Sequence, residues 1–288
     1  MKNIMVLKKN WITKTHNNIV ATLNKLIKKP FFGSFMVKWK NPLTIKQQKE
    51  WLSIQVKSKS GGTIYALFAK AFTEKVKATI VLGHPMSKEA KAYFLKNGYT
   101  DLLRKNGYNT LVFDFNGFGE STHGNFSYFE DIVAISIEAS KLTPDMQIGY
   151  FGISLGGQWA TISFADETHK YSFAIIESAG TTLGEFWKHF PIADKVLKLV
   201  FLFKPKFKKE INFEKRIQEI KHLKSLLLIY TEDDNWTPIS MGKRLKHNCP
   251  VPTELWTVKD AQHAKIMKSI HKAEYQDKII EYFDSHIK

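Results

Sequence analysis

A single cysteine, Cys249, stands in 288 residues. One thiol closes no internal disulfide and builds no thiolate zinc cage, so a reducing compartment, the cytoplasm, is the expected setting. No stretch approaches 18 consecutive apolar residues, which excludes a spanning helix. The lysine-bearing N-terminus lacks an apolar run followed by a small-residue cleavage site, so no secretory signal is read. Phosphate loops of the G-x-x-x-x-G-K-[ST] kind, His-Glu-x-x-His and Cys-x-x-Cys are all absent. Neither a cofactor nor a metal is therefore expected. Repeats and low-complexity tracts are missing too. What remains, 43% hydrophobic and 24% charged residues, is ordinary globular composition with enough chain for a substantial core.

Acids are the scarce charge: 27 Asp and Glu face 43 Lys and Arg, a net charge of +16. Two segments hold this excess. Residues 1–60 carry 13 lysines against one acid, Glu50, and residues 180–224 carry 11 basic against 5 acidic residues. The rest is close to neutral. Such a balance suits nucleic acid, anionic membrane or an acidic substrate.

From Trp51 onward, short β-branched and aromatic runs alternate with helical patterns. The runs Thr79–Gly83, Thr110–Phe115, Met146–Phe151, Phe173–Glu177, Ser225–Tyr230 and Glu254–Val258 predict buried strands. Phe129–Leu142 and Ala264–Ile287 predict helices. Trp51–Val56 and Thr63–Ala69 flank Ser60-Gly61-Gly62 and predict an antiparallel hairpin at the sheet's edge. The alternation predicts an α/β fold, a mostly parallel central sheet with helices on both faces. Residues 180–224 interrupt it and read as a helical lid; residues 1–50 precede it as a basic N-terminal extension.

The run Met146–Phe151 leads into Gly152-Ile153-Ser154-Leu155-Gly156-Gly157 and then a helix-compatible stretch. This G-x-S-x-G pattern, between strand and helix, is the elbow that lifts a serine hydroxyl above a sheet. Gly152 and Gly156 let neighbouring backbone pass closely. A serine needs a base and an orienting acid to attack at neutral pH. Candidates follow two later strands: Asp233 or Asp234 after Ser225–Tyr230, and His263 after Glu254–Val258. Both positions lie past the C-terminal ends of strands, where open parallel sheets bind ligands. The amide of Leu155, next to the nucleophile, supplies one oxyanion donor.

Over about residues 51–288 the chain resembles an α/β-hydrolase, of the serine esterase and monoacylglycerol-lipase-like branches. The resemblance implies a G-x-x-D-x-x-x-P pattern after the penultimate strand. Asp234, four residues before Pro238, takes the acid's place there, with Thr231 where glycine is usual. His271 is the weaker rival of His263. Relatives carry His-Gly after the first parallel strand; here Gly83-His84-Pro85-Met86 stands there, and the resemblance makes Met86 the second oxyanion donor. His84 then braces the loop. Asp114-Phe115-Asn116-Gly117-Phe118-Gly119-Glu120-Ser121 is similar to the superfamily's D-x-R-G-x-G-x-S loop, with Asn116 replacing arginine. A serine at the elbow argues against dehalogenase and epoxide-hydrolase relatives.

The expected function is hydrolysis of a carboxylic ester with a medium or long acyl group by Ser154, His263 and Asp234. A thioesterase or acyltransferase would use the same residues, and a non-catalytic binding protein of this fold is the alternative from another class. The apolar residues of the lid, Trp187, Phe190, Val196, Leu197, Val200, Phe201 and Phe203, would roof Ser154. Lys204, Lys206, Lys208 and Lys209 beside them would meet a polar headgroup. In the N-terminal segment Ile19, Val20, Leu23, Leu26 and Ile27 share a helical face that Pro30-Phe31-Phe32-Gly33 ends. Two readings stay open: peripheral contact with anionic membrane through this basic helix and exposed aromatics, or an apolar face packed on the hydrolase with its lysines solvated. No binding module accompanies the charge, which argues against nucleic acid.

Overall fold

Each apolar run is five to seven residues long, enough to cross one sheet, and the segments between the parallel ones are long enough to return over a face. A computed structural model describes residues 19–287. Residues 1–18, and with them the first part of the expected basic extension, lie outside the described residues.

The strands are β1 (Leu52–Lys57), β2 (Thr63–Ala69), β3 (Ala78–Gly83), β4 (Tyr108–Phe113), β5 (Ile148–Ile153), β6 (Tyr171–Glu177), β7 (Ser225–Thr231) and β8 (Thr253–Val258). They form one sheet in the order β1-β2-β4-β3-β5-β6-β7-β8. The hairpin β1–β2 and the β2–β4 pair are antiparallel, and every pairing from β4 through β3 to β8 is parallel. Strands β3, β4, β5 and β7 are buried along their whole length, as expected where helices cover both faces. On one face lie α5 (Tyr128–Leu142), α6 (Leu155–Ser163) and α11 (Ile239–Asn248). The other carries α3 (Ala92–Lys96), α4 (Tyr99–Lys105) and α12 (Lys272–His286).

Most boundaries differ from the sequence reading by one or two residues, and that of the last helix by more. Strand β4 stops at Phe113; the next residue, Asp114, still donates its amide to the Tyr65 carbonyl at 3.0 Å, while its carboxylate accepts the Lys91 amide at 2.9 Å, the Lys91 ammonium at 2.5 Å and the Glu120 amide at 2.9 Å. Strand β5 runs two residues further, to Ile153. The last helix begins at Lys272 rather than Ala264, since Ala264 has φ 54° and one tight turn, Ile266–Lys268, intervenes.

Between β6 and β7 stand α7 (Leu183–Trp187), α8 (Pro191–Phe203), α9 (Pro205–Glu210) and α10 (Phe213–Arg216). Prolines open α8 and α9 at their first turns, where the missing N–H has no intrahelical partner to lose.

The N-terminal segment follows neither reading throughout. A helix, α1, covers residues 19–32 and passes through Pro30. Phe31 and Phe32 are buried, not exposed. Phe32 meets Phe118, Tyr128 and Trp187 edge-on, with ring centroids 5.4–5.6 Å apart. Burial of two phenyl rings outweighs their terminal position in the chain. Lys28 is buried too: its ammonium donates to Asn116 Oδ1 and lies 4.3 Å from the centre of the Tyr128 ring. Burial pulls that amine down to about 7, against the pull of Asp131. The loop that carries Asn116 thus receives a lysine amine from α1. Meanwhile Ile19, Val20, Leu23, Leu26 and Ile27 stay exposed. Among the described residues of the helix, the buried side chains are Lys28, Phe31 and Phe32, all at its C-terminal end. Between α1 and β1, a short helix α2 (Ile45–Gln48) is closed by a capping box at Thr44 and Gln47.

Candidate active site

Ser154 occupies the single residue between β5 and α6, with φ 50° and ψ −107°. That strained turn persists because its surroundings leave no alternative. A Cβ on Gly156 would sit 2.0 Å from the Gly83 carbonyl oxygen, and one on Gly152 would sit 2.7 Å from the backbone of Gly156 and Gly157. Only glycine lets β3, β5 and α6 approach this closely. The Ser154 amide donates to the Glu177 carbonyl at 2.8 Å, tying the elbow to β6.

The three side chains singled out in the sequence meet. His263 Nε2 lies 2.8 Å from Ser154 Oγ, and His263 Nδ1 lies 2.7 Å from Asp234 Oδ2. His263 reaches inward from the loop after β8, where Asp260 and Ala264 both take positive φ. Asp234 follows β7 and is buried, whereas Asp233 is exposed. The rival His271 caps α12 and pairs with Glu274 at 3.4 Å.

Asp234 is held by more than His263. Its Oδ1 accepts the amides of Trp236 at 2.8 Å and Thr237 at 2.9 Å, and its Oδ2 accepts the Thr237 hydroxyl at 2.6 Å. Burial pushes this carboxyl up, but the hydrogen bonds and charge of His263, with those of Thr237, outweigh it and hold the group below the usual carboxylate range. An anionic Asp234 fixes the Nδ1–H tautomer of His263 and leaves Nε2 free to accept the serine proton. Sequence reasoning missed Thr237, although a threonine three residues after an aspartate is a common side-chain-to-backbone turn.

Leu155 opens α6, where the first amides have no intrahelical acceptor. It lines a small cleft at Ser154 together with Met86. His84 is fully buried between its own loop and the next: Nδ1 donates to the Pro85 carbonyl at 2.7 Å, and Nε2 accepts the Phe115 amide at 3.2 Å. Burial drives its pKa down to about 4, so it stays neutral and braces the loop that carries Met86. Ser121 bonds locally, donating to the Asp114 carbonyl at 2.7 Å.

Beneath the elbow, Glu177 is buried and receives the Tyr275 hydroxyl. Burial, helped by the nearby Asp234 charge, raises its carboxyl to about 7 despite that hydrogen bond. Among the described residues no group of three His, Cys, Asp or Glu is placed to hold a metal ion. Cys249 is half-buried, and burial raises its thiol pKa.

The space around Ser154 is uneven. The cleft at the hydroxyl measures about 10 Å³ and is walled by Phe32, Trp159, Leu183, Phe186 and Trp187 among others. Of the apolar residues expected to roof the serine, Trp187 does so directly, while Val200 and Phe203 line a larger pocket of about 560 Å³ behind it. Beyond His263 an open recess of about 380 Å³ is lined by Asp233, Asn235, Gln262 and Lys265 together with Trp236.

The family model of the serine aminopeptidases, S33, matches residues 74–237. The chain belongs to this family. It is a serine hydrolase of the α/β-hydrolase fold, and the matched span of the S33 hydrolase runs from just before β3 through the elbow to Thr237. Among solved structures, an esterase of Pyrococcus furiosus is similar at 20% identity and a TM-score of 0.68, over 88% of this chain and 97% of that one. An acylaminoacyl peptidase of Pyrococcus horikoshii is similar at 16% identity and a TM-score of 0.63, over 83% of this chain and 42% of that one. The esterase domain of a Rhodothermus marinus protein gives 17% identity and a TM-score of 0.58, over 82% and 99%. These likenesses carry the fold. No curated protein matches the hydrolase significantly.

Proposed function

We propose that this S33 hydrolase cleaves carboxylic esters with an apolar acyl group through an acyl-enzyme. The observation that carries the reading is His263, bonded at once to Ser154 and Asp234. Ser154 Oγ attacks the ester carbonyl while His263 Nε2 takes its proton, and the Leu155 and Met86 amides receive the oxyanion. His263 then gives the proton to the leaving alcohol, which departs on its own side, toward the open recess. Water, deprotonated by His263, attacks the acyl-enzyme and releases the acid.

The cleft favours an ester over an N-terminal peptide. A peptidase acting at a free N-terminus must pair a substrate ammonium, and among the described residues no carboxylate lines the cleft at Ser154, Asp233 standing across His263 in the open recess. The test is covalent labelling by a fluorophosphonate, read by intact mass and peptide mapping. One adduct on Ser154 is expected, slowed at least a hundredfold in His263→Ala, together with turnover of p-nitrophenyl esters. No adduct on the folded protein would refute a working nucleophile. Turnover of matched thioesters alone would replace the ester by a thioester.

A specific observation also favours contact with anionic membrane. Ile19, Val20, Leu23 and Leu26 are exposed on α1 beside the exposed Lys25 and Lys29. Lysines close to an anionic surface contribute about 1 kcal/mol each. The full chain is expected to float with phosphatidylserine-containing vesicles and the Leu23→Asp/Leu26→Asp double variant to remain behind. Equal flotation of the two would refute contact through α1. Among the described residues no helix is long and apolar enough to cross a membrane.

A further inference from the structure

We infer that the acyl chain of the substrate lodges between α1 and α8, so that the N-terminal helix forms one wall of the acyl site. This rests on the ester reading above and adds where the chain goes. The pocket of about 560 Å³ takes Ile27 and Phe31 from α1 and Leu197, Val200 and Phe203 from α8. Its size falls within the range of about 300–1,000 Å³ typical of ligand sites. Phe32, Trp159, Leu183 and Trp187 line both this pocket and the cleft at Ser154. They are a partition one side chain thick.

The cleft alone, at about 10 Å³, has room for roughly one water. An acyl group bonded to Ser154 Oγ must therefore displace part of the partition, and apolar space already stands behind it. On the other side, past His263, the recess is lined by Asp233, Asn235, Gln262 and Lys265 together with Trp236. An alkyl chain partitions to the former and an alcohol to the latter.

Trp187 is the member that yields at least expense to the sheet. Phe32 is clamped by Phe118 and Tyr128, and Trp159 by Tyr128 and Phe213. The ring partners of Trp187 are Phe31 and Phe32 of α1 and Phe186 and Phe190 of the insertion, at 5.2–5.4 Å. Its displacement therefore disturbs no ring beneath the elbow. Trp159 adds a second observation: it is 1% exposed, yet its indole Nε1 has no hydrogen-bond partner among the described residues. A buried donor without an acceptor is costly, and this one belongs to the partition an ester would cross.

The experiment uses the full-length chain and two readouts. The first is kcat/KM for p-nitrophenyl esters from acetate to decanoate. The second is the rate at which fluorophosphonates bearing ethyl or decyl chains label Ser154. Burial of each methylene is worth about a fourfold gain, so both readouts are expected to favour the long chain. Val200→Trp and Ile27→Trp fill the pocket from opposite walls. Each is expected to lower the decanoate-to-acetate and decyl-to-ethyl ratios at least tenfold, whereas Leu202→Trp, on an exposed side chain of α8, keeps the wild-type ratios. Thermal melts establish that each variant is folded. Ratios within twofold of wild type in both pocket variants would overturn the inference while leaving the ester reading intact. Chain-length-selective labelling that both pocket variants abolish, without turnover of any ester, would uphold the pocket and refute the ester.

Discussion

Replacing Phe32 by alanine tests whether α1 belongs to the folded hydrolase or merely lies beside it. The ring is 3% exposed and meets three aromatic neighbours edge-on. Losing the buried side chain and the cavity it leaves costs about 3–5 kcal/mol in a core that does not collapse. The edge-on contacts are worth about 0.5–1.5 kcal/mol each beyond their area, so the upper half of that range applies. Because the docked part of α1 is short, the loss appears first as local release of the helix. Hydrogen exchange read by mass spectrometry separates the two. Amides of residues 24–32 other than Pro30 in Phe32→Ala are expected to exchange about three to four orders of magnitude faster than in wild type, while those of β3 and β5 change less than tenfold. The accompanying urea midpoint falls only as far as the free energy that docks α1. Wild-type exchange in α1 already as fast as in the variant would refute the docking. A uniform loss of protection through the sheet would refute the local nature of the release.

Glu177→Gln reports on the buried carboxyl beneath the elbow. Its pKa is about 7 when folded against an ordinary 4.5, so between these pH values the folded chain holds one proton more than the unfolded chain. The group's contribution to stability therefore declines as pH rises from 4.5 to 7 and is fully lost above 7. The variant is expected to match wild type near pH 4.5 and to exceed it by about 3 kcal/mol at pH 8; urea midpoints showing a pH-independent difference would refute this. Gly156→Ala drives a Cβ to 2.0 Å from the Gly83 carbonyl oxygen, a backbone clash that no rotamer relieves. Its melting temperature is expected to fall by several degrees, with fluorophosphonate labelling slowed at least a hundredfold, and wild-type values for both would show that β3 and α6 are not locked together there.

The site was legible because its chemistry is local in sequence. Ser154 sits in a five-residue pattern after an apolar run, and His263 and Asp234 follow runs whose β character shows in their composition. The hairpin strand β2 was placed to the residue. The edges of β4 and the last helix were not, because apolar periodicity signals neither the residue at which β4 ends nor the positive φ at Ala264. The N-terminal helix was legible as a helix, yet its docking was hidden. Lys28 reads as one more solvated lysine until Asn116, 88 residues later in the chain, is seen to receive it. In the same way, the pocket between α1 and α8 arises from segments about 170 residues apart, which carry no mutual signal.

Phe32 gives the wall of the reaction cleft a history: the earliest part of the described chain completes a space whose floor is built 120 residues later. A fragment trimmed to the span that the family model matches would keep Ser154, yet begin after the ring that closes its cleft. It would strip Phe118, Tyr128 and Trp187 of the ring that meets them edge-on, and it would also end before β8 and His263. The smallest piece worth expressing thus starts ahead of Lys28. Domain limits drawn from sequence families alone would discard a ring that walls the cleft at Ser154.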